Sequence, residues 1–210
     1  MSAFLGPIHY WLYHKIQLQQ EIIDDICELG KKHGLSLEED CSRLYGSFEN
    51  KPLEQMIDQG NIHGWLQERV SQVEYKYAYC VTKLLEKAPE TYDMLKSVSA
   101  DNGTDLAITA KEFLPDPKGV YQLVEDNLLD GMPCDHANRI LEFNEEHILW
   151  TRVACVHRSY WVETGGDIRI YYELRDAWIR ALARELGYRL ERPDDASYCI
   201  KAYASGSASG

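Results

Sequence analysis

The sequence is short of several features that would announce a function. No apolar run approaches the roughly 18–20 residues that a transmembrane helix needs. No C-x-x-C, glycine-rich phosphate loop, G-x-S-x-G elbow or H-E-x-x-H motif occurs. Basic residues are too few to offset the acidic ones, and the formal net charge is −12. Such a chain repels phosphate backbones and anionic lipid, which argues against nucleic-acid and membrane partners. The richest basic stretch, Arg169 to Arg192, is interleaved with Glu173, Asp176, Glu185 and Glu191, as on a solvated helix face. The segment from Met1 to Tyr13 has no basic start before its apolar residues, unlike a secretory signal. The six cysteines are scattered, which suits a reducing compartment better than a disulfide framework. A cytoplasmic protein is the expectation.

What is present is an ordinary globular composition over 210 residues, 45% hydrophobic and 27% charged. Helical periodicity predicts a long first helix from Gly6-Pro7 to about Gly30. Ser36 with Glu39 reads as a capping box for a second helix to about Tyr45. A short element follows Pro52, and a second long helix spans about Ile62 to Lys87, stopped by Pro89. A short helix to about Val98 and a polar turn over Ser99 to Thr104 come next. Pro115-Asp116-Pro117 marks a soft boundary. It separates a helical region, 1–114, from an α+β small-ligand domain, 118–204, with a flexible tail at 205–210. In the second part, Val120 to Leu129 reads as helix. Alternation then predicts a hairpin turning near Glu145-Glu146, its second strand continuing through Cys155 and His157. Ile170 to Leu186 is an amphipathic helix, and two short strands flank Pro193-Asp194-Asp195. The expected fold is α+β, a helical N-terminal half followed by an antiparallel sheet packed on an amphipathic helix.

The most specific signal is an internal echo. Gly6-Pro7-Ile8-His9-Tyr10-Trp11-Leu12 and Gly60-Asn61-Ile62-His63-Gly64-Trp65-Leu66 share the pattern G-x-I-H-x-W-L, and Lys15 matches Arg69 beyond it. A repeated supersecondary unit explains such an echo. On a functional reading, His9 and His63, with His136, are ligands for a transition metal or haem, or grip an anion at helix starts. On a structural reading, each Trp fills the core and each His satisfies its own helix start. The structural reading is the stronger, because a bare His pair is too few ligands for a closed metal site.

C-x-H occurs twice, as Cys134-Asp135-His136 and Cys155-Val156-His157. On a strand, residues two apart share a face, so either Cys155 and His157 look into one pocket, where a nearby cation makes a thiol reactive, or Cys155 is simply core with His157 at a rim. Glu142, Glu145, Glu146 and His147 read as a charged hairpin turn rather than part of a di-iron site, because no second E-x-x-H exists. Aromatic residues, among them Trp11, Trp65, Tyr160 and Trp178, are candidates for the walls of a substrate pocket.

From about Arg139 onward the order is hairpin, cysteine-bearing strand, glycine-rich turn, amphipathic helix and a strand pair carrying Cys199. That order resembles small-ligand domains of the 4-vinyl-reductase type and the related family of L-2-amino-thiazoline-4-carboxylic acid hydrolases. The matching positions are Cys155, Asp176 and Cys199, although Tyr171-Tyr172 stands where many relatives carry another cysteine. The resemblance implies a small-molecule pocket between sheet and helix and hydrolysis of a ring C–N or C–S bond. It makes Cys155 nucleophile or ligand, His157 general base, and Asp176 the group that orients the substrate or binds a cationic group. The alternatives are a metal or haem protein using His9 and His63, and a non-catalytic ligand sensor dimerised through its long helices.

Overall fold

The computed structural model describes residues 5–113 and 115–203; the tail at 205–210 lies outside the described residues. The chain folds as α+β, with eight α-helices and four strands among the described residues. Two long helices, α1 (Pro7–Lys32) and α4 (Ile62–Lys87), pack on each other and carry the helical half. Leu12, Ile16, Ile23 and Ile26 of α1 meet Leu66, Val70, Val73 and Tyr77 of α4 within one core, each series at near-helical spacing. Between them lie α2 (Leu37–Tyr45) and α3 (Leu53–Met56). The serine before α2 does not form the expected capping box. Ser36 sits at ψ 54°, away from the extended geometry that aims a side-chain oxygen at the first turn, and makes no side-chain cap hydrogen bond.

The segment expected as a turn at Ser99 to Thr104 is instead the middle of one helix, α5 (Tyr92–Ala110). Packing overrides the weak propensity there. Gly103 lets α5 approach α8 (Ile168–Glu185) so closely that a Cβ would lie 2.4 Å from the Trp178 carbonyl oxygen. Trp178 Nε1 donates to Asn102 Oδ1 at 2.7 Å, and Thr104 satisfies its hydroxyl on the Ala100 carbonyl, so the polar residues have partners inside the helix.

After α6 (Pro117–Asn127) the chain enters an antiparallel sheet of β1 (Asn138–Phe143), β2 (His147–Arg152), β3 (Tyr188–Glu191) and β4 (Ser197–Ala202), in the order β1-β2-β4-β3. The hairpin turns where expected, held by Asn144, whose side chain accepts from the backbone of Glu146 and His147. Trp150 and Tyr198 pair across β2 and β4 with stacked rings 5.1 Å apart, and Tyr121 of α6 packs on Trp150. Residues on both sides of Pro115-Asp116-Pro117 contribute to one hydrophobic cluster. Among the described residues, no helix is long and apolar enough to cross a membrane.

One expectation about the sheet fails in a way that matters for the site. β2 ends at Arg152, so Cys155 and His157 are not on a strand. Both Val153 and Ala154 direct their N–H groups to the Ala137 carbonyl, which closes the ladder. The chain then bends into a short helix, α7 (Arg158–Glu163), which sinks Trp161 completely into the core. Period-two alternation ran past the true strand end because Val153, Cys155 and His157 keep the parity of Thr151, while the backbone after Arg152 leaves the sheet.

Candidate functional site

His157 stands just before α7 and is 1% exposed. Its Nδ1 lies 2.9 Å from Glu74 Oε1 of α4, and its Nε2 lies 2.9 Å from the Tyr171 hydroxyl and 3.4 Å from Asp130 Oδ1. Arg175, one turn beyond Tyr171 on α8, donates to Asp130 Oδ2 at 2.7 Å. Asn138 of β1 also donates to Asp130 Oδ2, at 3.0 Å, and reaches Glu125 of α6. Two carboxylates and two cations therefore meet in the core, contributed by α4, α8 and the segments flanking α6 and α7.

Electrostatics hold this cluster in its charged form. Burial alone would lower the pKa of His157, but Glu74 and Asp130 override it and raise the imidazole to about 9. Burial would raise Asp130, yet Arg175 and His157 hold its carboxyl well below the usual range. Protonated His157 has no free lone pair, and both ring nitrogens are engaged. With its pKa raised and both ring nitrogens engaged, His157 is arranged as a buried cation. Lys15 of α1 is buried nearby, its ammonium 4.1 Å from the centre of the Trp11 ring.

Cys155 is half-buried on the other side of the His157 backbone. The Tyr172 hydroxyl donates to its Sγ at 3.0 Å, and the backbone N–H groups of His157 and Arg158 point to the same sulfur. Burial would raise this thiol, but the Tyr172 hydroxyl, those two amides and the imidazolium charge outweigh burial and lower it. Burial and the sulfur together push the Tyr172 phenol well up, so it remains a donor. The Tyr172 ring lies under the Arg152 guanidinium at 3.6 Å. Both residues line a cleft of about 760 Å³ whose walls also include Arg158, Arg169, Arg180 and Arg192 beside Glu173, Asp194 and Asp195. Asp176 lines this cleft too, but its carboxylate is paired with Arg192 and is not in contact with His157.

The remaining sequence candidates are spread out. His9 accepts a hydrogen bond from the Gly6 N–H at 2.8 Å, closing its own helix start. His63 is exposed; in its copy of the repeat Asn61 does the capping, accepting from Gly64 N–H at 3.1 Å. That cap explains why glycine replaces Tyr10 in the second copy, since a Cβ at Gly64 would lie 2.2 Å from the Asn61 amide. The repeat also preserves a cation over each tryptophan one turn on, Lys15 on Trp11 and Arg69 on Trp65. His136 is exposed in a left-handed turn next to exposed Cys134. Among the described residues, no group of three or more His, Cys, Asp or Glu side chains is arranged to hold a metal ion. Of the proposed pocket aromatics, Trp11 donates to Asp126, Tyr160 bonds Ser71, and Trp178 is core; none lines the arginine cleft.

The chain matches no protein-family model, no curated protein and no solved structure. The site must therefore be read from its own chemistry. Glu74, Asp130, Arg175 and Tyr172 carry that chemistry, and the motif search did not assign them to it. A signal existed: Glu74 interrupts the apolar stripe of Val70, Val73 and Tyr77, and Arg175 interrupts that of Tyr171, Leu174 and Trp178. A charged residue inside a buried stripe must find a partner.

Proposed function

We propose that the protein is a small-molecule hydrolase, cytoplasmic, with the Cys155 thiolate as nucleophile and a carboxylate-bearing ring substrate held in the arginine-lined cleft. One observation carries this reading: Tyr172 joins the two, with its hydroxyl on the Cys155 sulfur and its ring in the cleft wall beneath Arg152. The cleft suits an anionic substrate because Arg152, over the Tyr172 ring, and Arg158, whose backbone N–H points to the Cys155 sulfur, both line it. The thiolate adds to the electrophilic ring carbon and the C–N or C–S bond breaks. The leaving heteroatom takes a proton from solvent while the Tyr172 hydroxyl stays on the sulfur; water then adds to the S-bound carbon, the C–S bond to Cys155 breaks, and the thiolate returns. Buried His157 acts through its charge, favouring the thiolate without exchanging a proton.

The test is turnover of 2-amino-thiazoline-4-carboxylate and related cyclic amidine acids, the substrate class that the likeness to that hydrolase family suggests. Cys155→Ala abolishes turnover. Tyr172→Phe lowers kcat and moves the pH profile of iodoacetamide labelling at Cys155 upward. Unchanged turnover in Cys155→Ala defeats the assignment. Binding that raises Tm without any turnover would make the protein a sensor instead.

A further inference from the structure

A second group of thiols lies far from Cys155 in the sequence and belongs to different helices. Cys27 of α1, Cys41 of α2 and Cys80 of α4 converge: Cys41 Sγ is 3.3 Å and Cys27 Sγ 3.8 Å from Cys80 Sγ. Cys80 is fully buried, whereas Cys27 and Cys41 border a cavity of about 380 Å³ between α1, α2 and α4. Three buried cysteines alone are an ordinary core. Two further groups at this cavity are not ordinary. Lys76 lines it, is only 3% exposed, and forms no ion pair or hydrogen bond among the described residues. Gln20 lines it as well, and its buried Oε1 has no hydrogen-bond partner. A lysine with a largely buried side chain and an orphan amide oxygen beside a thiol pair are a donor and an acceptor for a small polar molecule.

The thiols are differentiated. The hydrogen bond shared with Cys80, against the effect of burial, and the charge of Lys76 lower the Cys41 thiol. Its contacts with Cys27 and Cys41, and burial, push the Cys80 thiol up. With Cys41 on the cavity wall and Cys80 in contact with it but off that wall, access sets the order of the pair.

We propose that Cys41 and Cys80 form a hydroperoxide-reactive dithiol site, with Cys41 attacking and Cys80 resolving. The Cys41 sulfur attacks one oxygen of the hydroperoxide; the S–O bond forms, the O–O bond breaks, and the departing oxygen takes a proton from Lys76 or solvent. Gln20 Oε1 accepts from the peroxide O–H during this step. The Cys80 sulfur then attacks the Cys41 sulfur; the S–S bond forms, the S–O bond breaks, and hydroxide leaves with the Cys80 proton as water. The dithiol loses two electrons and the peroxide gains them. An added dithiol reductant reverses the change.

The experiment treats the reduced full-length chain with stoichiometric hydrogen peroxide and maps peptides without reduction. A Cys41–Cys80 disulfide is the expected main product. In Cys80→Ser, Cys41 is trapped as the sulfenic acid adduct of dimedone. Lys76→Met slows oxidation about tenfold, the effect on a rate of losing one charge-assisted hydrogen bond. Cys41 and Cys80 remaining reduced in the wild-type chain while Cys134 or Cys155 is oxidised overturns the proposal, and so does a Cys27–Cys80 bond as the main product.

Discussion

Glu74 and Lys76 lie two residues apart on α4 and so point to opposite sides of the helix. Both are almost fully buried. On one side Glu74 meets His157, and through it Asp130, Tyr171 and Arg175, in a cluster whose charges cancel. On the other side Lys76 faces a polar cavity and three thiols; Asp24, on the same cavity wall, attracts it but forms no ion pair with it among the described residues. The same helix thus buries one charge in direct contact with its partners and another held only by more distant charge. A charge in contact with its partners fixes how elements dock; one without such contact carries a standing cost that chemistry can use.

The largest test of this contrast is Glu74→Ala. It strands the His157 cation in the core and should lower unfolding free energy by about 3–5 kcal/mol in urea denaturation. Replacing Glu74→Leu together with His157→Leu should recover much of that loss, because no charge is then left orphaned beside α4. A double variant as unstable as Glu74→Ala would mean that shape, not charge, is what the cluster supplies.

A smaller effect is the pH dependence of the cluster. The His157 pKa is raised in the fold, so its contribution is complete below about 6.5, the unfolded value, and is lost as pH rises through about 9. Asp130 is depressed, so its contribution is present above about 4 and is lost as pH falls through the native value. Tm should therefore be highest between about pH 4 and 6.5 and fall toward pH 9. In Glu74→Gln the alkaline decline should shrink, since His157 loses its nearest anion. An alkaline limb identical to wild type would show that some other group titrates there.

The contrast also marks what the sequence makes legible. Long amphipathic helices read well because Ile8 to Leu29 and Ile62 to Leu84 carry their period over many turns, and Pro7 and Pro89 punctuate them. The hairpin reads from alternation, and the two last strands read from the turn at Pro193-Asp194-Asp195. The middle of α5 does not, because Gly103 serves a contact with Trp178 that is visible only once α8 is in place. The candidate site is half legible. Cys155 and His157 stand out as a C-x-H pair, but the reason they matter is different from the pattern that reveals them. They point to opposite partners, one to Tyr172 and the arginine cleft, the other to Glu74. Those partners are 17 and 83 residues away, beyond the reach of any local period.

The smallest expected stability effect belongs to the other side of α4, and it has the opposite sign. Burial lowers the pKa of Lys76, so its charged form is held at a cost. Lys76→Met keeps most of the volume and removes the charge. It should leave unfolding free energy unchanged or raise it by about 1 kcal/mol, a gain typical of relieving a functional group of its burial penalty. The informative result is the pairing of two measurements on this one variant. Equal or greater stability with slower peroxide oxidation of Cys41 means that the ammonium is kept for the thiols. A loss of stability comparable to that of Glu74→Ala would mean that Lys76 has compensation of its own, and the two sides of the helix would then be alike.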